Sequence, residues 1–278
     1  MEAHLRNNRR SDVVILLVLI VSLAAILSLS SASPIAVATG EKVELSLYYE
    51  TLCPYCEYFI LNYLYKIFDN GLISIVDLKL SPYGNAKISS NGTVVCQHGE
   101  WECVLNTVEA CAIHAWPVVS DHFPFIYCVE GLTYEEKYDE WETCFDKLHL
   151  DPKPVLIAST AGLDTSHLST HMQLELQYAD EISALKPPHT YVPWVVVDGQ
   201  PLYDDYPDFV GFICKAYKGS NVPQICLGLS LPTTTPNNNA KPSNHVCYKE
   251  EDNTKSKSTL PEIVSAAAAS HISMVESM

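Results

Sequence analysis

The sequence predicts an α/β fold, a small sheet interrupted by a mainly helical insertion that disulfides brace. Three observations predict it. An apolar, β-prone run, Val43 to Tyr49, leads straight into Cys53-Pro54-Tyr55-Cys56 and a helix-patterned stretch, and a second strand-like run follows. Residues 96–185 carry five cysteines and several helical patterns. Strand character then returns at Tyr191 to Val197, followed by Asp198-Gly199, a strong hairpin-turn signal.

The N-terminal residues have the form of an address. Arg6, Arg9 and Arg10 precede an uncharged apolar run from Val13 to Leu29, and small residues follow, with Ala36-Val37-Ala38 as a cleavage site. That order predicts a secretory signal peptide over residues 1–38 rather than a lasting membrane anchor. The expected domain is 39–226. From Cys56 to Phe68, the apolar residues Phe59, Ile60, Tyr63, Leu64 and Ile67 recur at helical spacing, and Gly71 ends the pattern. Leu72 to Leu80 reads as the second strand, so the order strand, helix, strand predicts a parallel unit. Within the insertion, Trp101 to Ala115, Ser120 to Gly131, Tyr134 to Leu148 and Leu174 to Leu185 carry helical patterns. Pro201 to Tyr203 begins the return strand of the hairpin, and Phe209 to Tyr217 is a last helix. Beyond Cys226 the run Pro232 to Pro242 is polar and of low complexity. Residues 227–278 are therefore expected to be a disordered tail, with at most a weak helix within Leu260 to Val275.

Composition excludes some function classes. A formal charge of −16 argues against nucleic acid as the main partner, because phosphate binding needs a basic face. Ten cysteines fit an oxidising compartment, where disulfides persist.

Cys53 and Cys56 carry the chemistry. The first sulfur of a CxxC at a strand-to-helix junction meets the free N–H groups and positive end of the helix, which stabilise a thiolate. The second lies one turn along, within reach of a disulfide. Pro54 suits the opening turn because its missing N–H is not needed there. Two other readings compete. The pair could be half a zinc site, with Cys96, His98 and Cys103 as partial ligands, although their spacing is poor. It could also be a structural staple. Val192-Pro193 supports the redox reading. A proline in a strand is tolerated at its start or in a special geometry, and in thioredoxin-like folds that geometry is a cis bond beside the CxxC. The residue before it then offers backbone groups to an extended substrate peptide, so Val192 and Pro193 are the candidate substrate-binding residues.

Cys96 to Cys111 reads C-Q-H-G-E-W-E-C-V-L-N-T-V-E-A-C. This resembles the signature of the gamma-interferon-inducible lysosomal thiol reductase (GILT) family, CQHGxxECxxNxxxxC, at every fixed position. Pro187 to Leu202 and the pair Cys214 and Cys226 are similar to that family's later segments, so the resemblance spans residues 42–226 and is nearest to plant members. It implies a thioredoxin-like domain with the redox pair Cys53/Cys56. It further implies a glycoprotein of the endolysosomal or vacuolar route, or a secreted one, that reduces protein disulfides at acidic pH. Asn91-Gly92-Thr93 is the one glycosylation sequon. Neither metal nor organic cofactor is expected. The implied partners are disulfide-bonded proteins and a small-thiol or protein reductant. Candidates for structural disulfides are Cys96, Cys103, Cys111, Cys128, Cys144, Cys214 and Cys226. Cys214 with Cys226 is the favoured pair, because both flank one short segment. His98, between two such cysteines, is expected to be a structural hydrogen-bonding residue. The chain departs from the family after Pro154-Val155-Leu156, where a cysteine usually follows; Ile157 to Met172 is longer and has none. That departure predicts a missing partner for Cys128 or Cys144, and leaves Cys247 adrift in the tail. A secreted thioredoxin-like binding module without redox turnover is the competing function.

Overall fold

The computed structural model describes residues 42–160, 170–232, 235–236 and 245–249, which lie in one compact unit. The expected signal segment, Leu260 to Val275 and the middle of Ile157 to Met172 lie outside the described residues.

Strand β1 (Val43–Tyr49) is buried along nearly its whole length, as expected of a strand covered on both faces. It ends in a turn where Leu52 takes a positive φ of 58°. The chain then enters α1 (Pro54–Phe59), which continues through a π-helical turn, Ile60–Leu64, into α2 (Lys66–Asp69). Strand β2 (Val76–Pro82) pairs parallel to β1, with Leu45 opposite Leu78 and Leu47 opposite Leu80. The expected strand from Leu72 starts later, because Leu72–Ile75 is a 3-10 turn. Local hydrogen bonds hold that turn: the Leu72 amide donates to Asn70 Oδ1 and the Ser74 hydroxyl to the Gly71 carbonyl. A two-residue ribbon, β3 (Lys87–Ile88) with β4 (Val94–Val95), precedes the insertion.

The insertion is helical, as the periodicity predicts: α3 (Glu100–Ala115), α4 (Val119–Tyr134), α5 (Thr143–Lys147), α6 (Lys153–Thr160) and α7 (Thr170–Ser183). The expected helix from Tyr134 to Leu148 is instead broken. Glu135, Glu136, Asp139, Glu140 and Glu142 crowd like charges at helical spacing, and Glu136 sits at φ 59°. Only a 3-10 turn at Tyr138–Glu140 and α5 survive of it. Helix α6 had no counterpart among the expected elements. Phe68 of α2 stacks on Phe123 of α4 with centroids 4.2 Å apart, joining the insertion to the CxxC helix, and within the insertion Phe125 stacks on Phe145 at 4.8 Å.

After the insertion come β5 (Tyr191–Val192), β6 (Trp194–Val197) and β7 (Gln200–Pro201), then α8 (Phe209–Ala216) and α9 (Gln224–Leu227). The expected strand Tyr191 to Val197 is split at Pro193, whose bond to Val192 is cis. The sheet order is β2-β1-β6-β7, with β6 antiparallel to β1 and Asp198-Gly199 turning into β7. Both turn residues have positive φ, 46° and 76°, as a two-residue hairpin of this kind requires. Phe59, under α1, packs edge-on against Phe209 of α8 at 5.4 Å.

Four disulfides join Cys96 to Cys103, Cys128 to Cys144, Cys214 to Cys226 and Cys53 to Cys247. Two expectations need correction. Cys128 and Cys144 pair with each other, so neither lacks a partner. Cys111 is the insertion cysteine left as a free, buried thiol. It lies on α3, which packs against α6 and α7, and neither of those helices carries a cysteine. The tail is also not uniformly without structure. His245 to Lys249 lie on the domain, and β8 (Cys247–Tyr248) pairs antiparallel with β5. Composition could not reveal this, because the order comes from a covalent link to a residue 194 positions away.

The Cys128–Cys144 bridge closes a loop of sequence separation 16 between α4 and α5. Replacing both cysteines with alanine is expected to cost about 3 kcal/mol through the freed chain entropy of the unfolded state. The midpoint of urea unfolding at fixed pH measures that loss. An unchanged midpoint would show that the bridge does not constrain the insertion.

Candidate active site

Cys53 is the N-cap of α1, in extended backbone, and its carbonyl accepts the Cys56 and Glu57 amides at 2.9 and 3.1 Å. Pro54 occupies the first helical turn, as the sequence requires. The Cys53 sulfur is bonded to Cys247 rather than to Cys56, and the Cα atoms of Cys53 and Cys247 are 6.3 Å apart. Cys56 is a free thiol and fully buried. Burial pushes its pKa well above the ordinary thiol value, and the nearby Glu50 charge pushes the same way; a hydrogen bond from the Glu50 backbone pulls against them. The second sulfur of the motif is therefore an uncharged thiol unless a base takes its proton.

Val192 and Pro193 stand beside this pair. Cys247 lies opposite Val192 in the β5–β8 register, so the sulfur bound to Cys53 is carried by a strand laid on the edge that ends in the cis-proline. The sequence-predicted residues Cys53, Cys56, Val192 and Pro193 thus converge on one place. Asn91 does not; it is exposed in the turn between β3 and β4, where its Oδ1 accepts the Thr93 amide.

Several polar residues complete the site, and of these the sequence singled out only His98. Glu50, three residues before Cys53, is fully buried. Its carboxylate accepts the Asn85 amide at 2.6 Å and the Asn85 side chain at 3.3 Å. Gly84 makes room for it: a Cβ there would lie 2.5 Å from a Glu50 oxygen, and its φ is +54°. His98 sits between two buried carboxylates, 3.6 Å from Glu50 and hydrogen-bonded to Glu102. Glu102 also accepts the backbone amides of Gln97 and His98 at 2.9 and 3.0 Å, closing the turn before α3. Gly99 takes a φ of 99° in that turn, a conformation that favours glycine. One turn further along α3, Asn106 accepts the Thr51 amide at 2.9 Å, and Thr51 donates its hydroxyl to the Glu102 carbonyl at 3.2 Å.

The Gln97, His98, Gly99, Glu102 and Asn106 positions therefore hold the two loops that frame Cys53. His98 plays the structural part expected of it. The competing reading of a zinc site does not fit Cys96 and Cys103, whose sulfurs are bonded to each other. Glu50, His98 and Cys247 place one donor atom each within 4.8 Å of one another. The Cys247 sulfur is, however, held in the bond to Cys53, and the Glu50 carboxylate and His98 imidazole face each other 3.6 Å apart. The arrangement suits disulfide exchange: a sulfur at a helix start, a second buried thiol one turn away, and a strand edge that presents a third sulfur to the first.

Comparison with known proteins follows the same line. The family model described as "Gamma interferon inducible lysosomal thiol reductase (GILT)" matches residues 44–148. A "Gamma-interferon-responsive lysosomal thiol protein" of Arabidopsis thaliana is 43% identical over 211 residues, covering 74% of this chain and 85% of that protein. The "Gamma-interferon-inducible lysosomal thiol reductase" of Mus musculus is 33% identical over 212 residues, covering 74% and 77%. A protein of the same name from Carassius auratus is 33% identical over 201 residues, covering 69% and 76%.

Proposed function

Because the chain belongs to the gamma-interferon-inducible lysosomal thiol reductase family, we infer that it is a thiol-disulfide oxidoreductase that reduces protein disulfides through Cys53 and Cys56. The observation that carries the assignment to these residues is the bond from Cys53 to a cysteine on the adjoining strand, with Cys56 left as a thiol beneath it. Cys53 as thiolate attacks a substrate disulfide and forms a mixed disulfide. Cys56 then attacks Cys53, the substrate leaves as a thiol, and the pair is left oxidised. The buried Cys56 must lose its proton for that second step. Two equivalents of a small thiol, or a protein dithiol, restore the reduced pair.

Val192 offers the backbone edge on which a substrate strand lies, and Pro193 fixes the end of that edge. Relatives named as lysosomal support a lysosomal or vacuolar site of action, reached through cleavage of residues 1–38 and with Asn91 glycosylated on its exposed turn. No helix among the described residues is long and apolar enough to cross a membrane.

A reduction assay tests the function. The thiol-reduced full chain, at about pH 5 with catalytic cysteine as reductant, is expected to reduce a disulfide-bonded protein faster than the small thiol alone. A rate no greater than the thiol's own would overturn the reductase reading in favour of a binding module without turnover.

A further inference from the structure

The segment His245 to Lys249 is bonded to Cys53 and lies along the strand edge inferred above to take a substrate. β8 adds to β5 as an antiparallel strand, with Tyr248 opposite Tyr191 and Cys247 opposite Val192. Its backbone is read at successive positions. The His245 carbonyl accepts the Tyr206 hydroxyl at 3.0 Å, the Cys247 carbonyl accepts Asn85 Nδ2 at 3.1 Å, and the Tyr248 carbonyl accepts Gln97 Nε2 at 2.7 Å. The Lys249 amide donates to the Thr190 carbonyl at 3.0 Å. Side chains flank the reacting sulfur on both sides: the His245 ring meets Tyr55 of the CxxC edge-on, and Tyr248 meets Tyr191 edge-on, each pair with centroids 5.9 Å apart. Val246 and Cys247 are buried beneath them.

We propose that residues 245–249 are a tethered substrate mimic, and that Cys247 is a third redox cysteine which takes the substrate's place in a mixed disulfide with Cys53. Asn85 and Gln97 then belong to the peptide-binding site as the side chains that read backbone carbonyls on either side of the reacting cysteine. The proposal rests on the reductase function inferred above and gives that site an occupant.

The exchange needs no outside oxidant. After a turnover the pair is a Cys53–Cys56 disulfide. The Cys247 thiolate attacks the Cys53 sulfur, the Cys53–Cys247 bond forms, the Cys53–Cys56 bond breaks, and the electron pair leaves on Cys56, which takes up a proton. One disulfide and one thiol become another disulfide and another thiol, with no net oxidation. Burial favours the protonated form of Cys56, which suits that resting state. Two small-thiol molecules reverse the block: they are oxidised to their disulfide, and Cys53 and Cys247 are released as thiols. A tethered competitor acts at an effective concentration on the order of 1 mM, far above a micromolar substrate, so the tail holds the site until thiol is supplied.

The test uses the full chain. Protein oxidised by turnover is quenched in acid, alkylated, digested and analysed by mass spectrometry, in parallel with Cys247→Ser and Gln97→Leu. The expected wild-type product is a peptide pair linked Cys53 to Cys247, with Cys56 alkylated. Gln97→Leu should lower the linked fraction in favour of Cys53–Cys56, a response that an incidental disulfide would not give. Starting from oxidised enzyme at low thiol, Cys247→Ser should reduce substrate with an initial rate about tenfold above wild type. A Cys53–Cys56 disulfide with Cys247 freely alkylated, together with equal initial rates, would overturn the proposal while leaving the reductase function intact. The linked peptide present in a chain that shows no reductase activity, with or without Cys247, would uphold tail docking and overturn the reductase function instead.

Discussion

Cys53→Ser is expected to reduce a disulfide-bonded protein no faster than the small thiol alone, whatever the pH. A hydroxyl at this position is neither acidic enough to ionise nor able to form the mixed disulfide, so the first bond of the reaction cannot form. The loss is therefore complete rather than graded. The substitution removes a sulfur but leaves the N-cap position, where serine is itself favoured, so the fold persists. Circular dichroism of the variant checks that, and the assay with substrate at saturating concentration reads the loss. Retention of wild-type rate would place the chemistry elsewhere.

The second large effect concerns acid. Glu57 on α1, Glu109 on α3 and Glu130 on α4 are buried carboxyls near the CxxC helix. Burial raises Glu57 and Glu109 to about 8 and Glu130 well above the ordinary carboxylate value; the Glu109 and Glu57 charges add to the rise at Glu130. Tyr49 donates its hydroxyl to Glu109 at 2.6 Å. A raised folded-state pKa means that the native state binds protons the unfolded chain has already lost. Stability from these groups is full below the unfolded value and declines as pH rises towards the folded one. His189, lowered to about 4, and His122, also lowered, act oppositely, because burial keeps them neutral. Their contribution grows with pH only up to the unfolded histidine value of roughly 6.5. Above that, the glutamates act unopposed by these histidines. Each costs on the order of 1 kcal/mol per pH unit, so Tm is expected to fall by roughly 10–20 °C between pH 6.5 and 8. Differential scanning calorimetry across that range measures the slope, and Glu57→Gln should flatten it. A Tm that rises over the same interval would contradict the assignment of protonated buried acids. A native state favoured by acid accords with the acidic compartment proposed for the chain.

The parts legible in the sequence are those that local chemistry decides. The strand Val43–Tyr49 follows from its composition, the hairpin from Asp198-Gly199, and the start of α1 from Pro54 after Cys53. The CxxC spacing of Cys53 and Cys56 was equally visible, because it is a property of one helical turn, whereas the bond from Cys53 to Cys247 was not. What could not be read is made by distant segments meeting. Glu50 had no visible role until Asn85, Gly84 and His98 enclosed it. Gln97 stood within a recognised motif, yet its side-chain amide accepts from Asn85 and donates to the Tyr248 carbonyl, 151 positions away. Cys247 was the largest misreading. Its surroundings lack any pattern that packs by itself, and its order derives from β5, Asn85 and Cys53, none of which lies near it in sequence. The break after Tyr134 was missed for a different reason: apolar spacing suggested a helix where a run of acids opposes one.

Trapping of the mixed disulfide tests the account at its centre. In Cys56→Ser/Cys247→Ser, the thiol that resolves the intermediate and the thiol that competes with substrate are both absent. Incubated with a disulfide-bonded protein at about pH 5 and quenched in acid, this variant is expected to accumulate a covalent complex. Mass spectrometry should find one substrate cysteine joined to Cys53, and excess thiol should release it. A substrate linked through Cys111 or another cysteine, or no complex from a variant that folds normally, would contradict the assignment of Cys53 as the attacking sulfur.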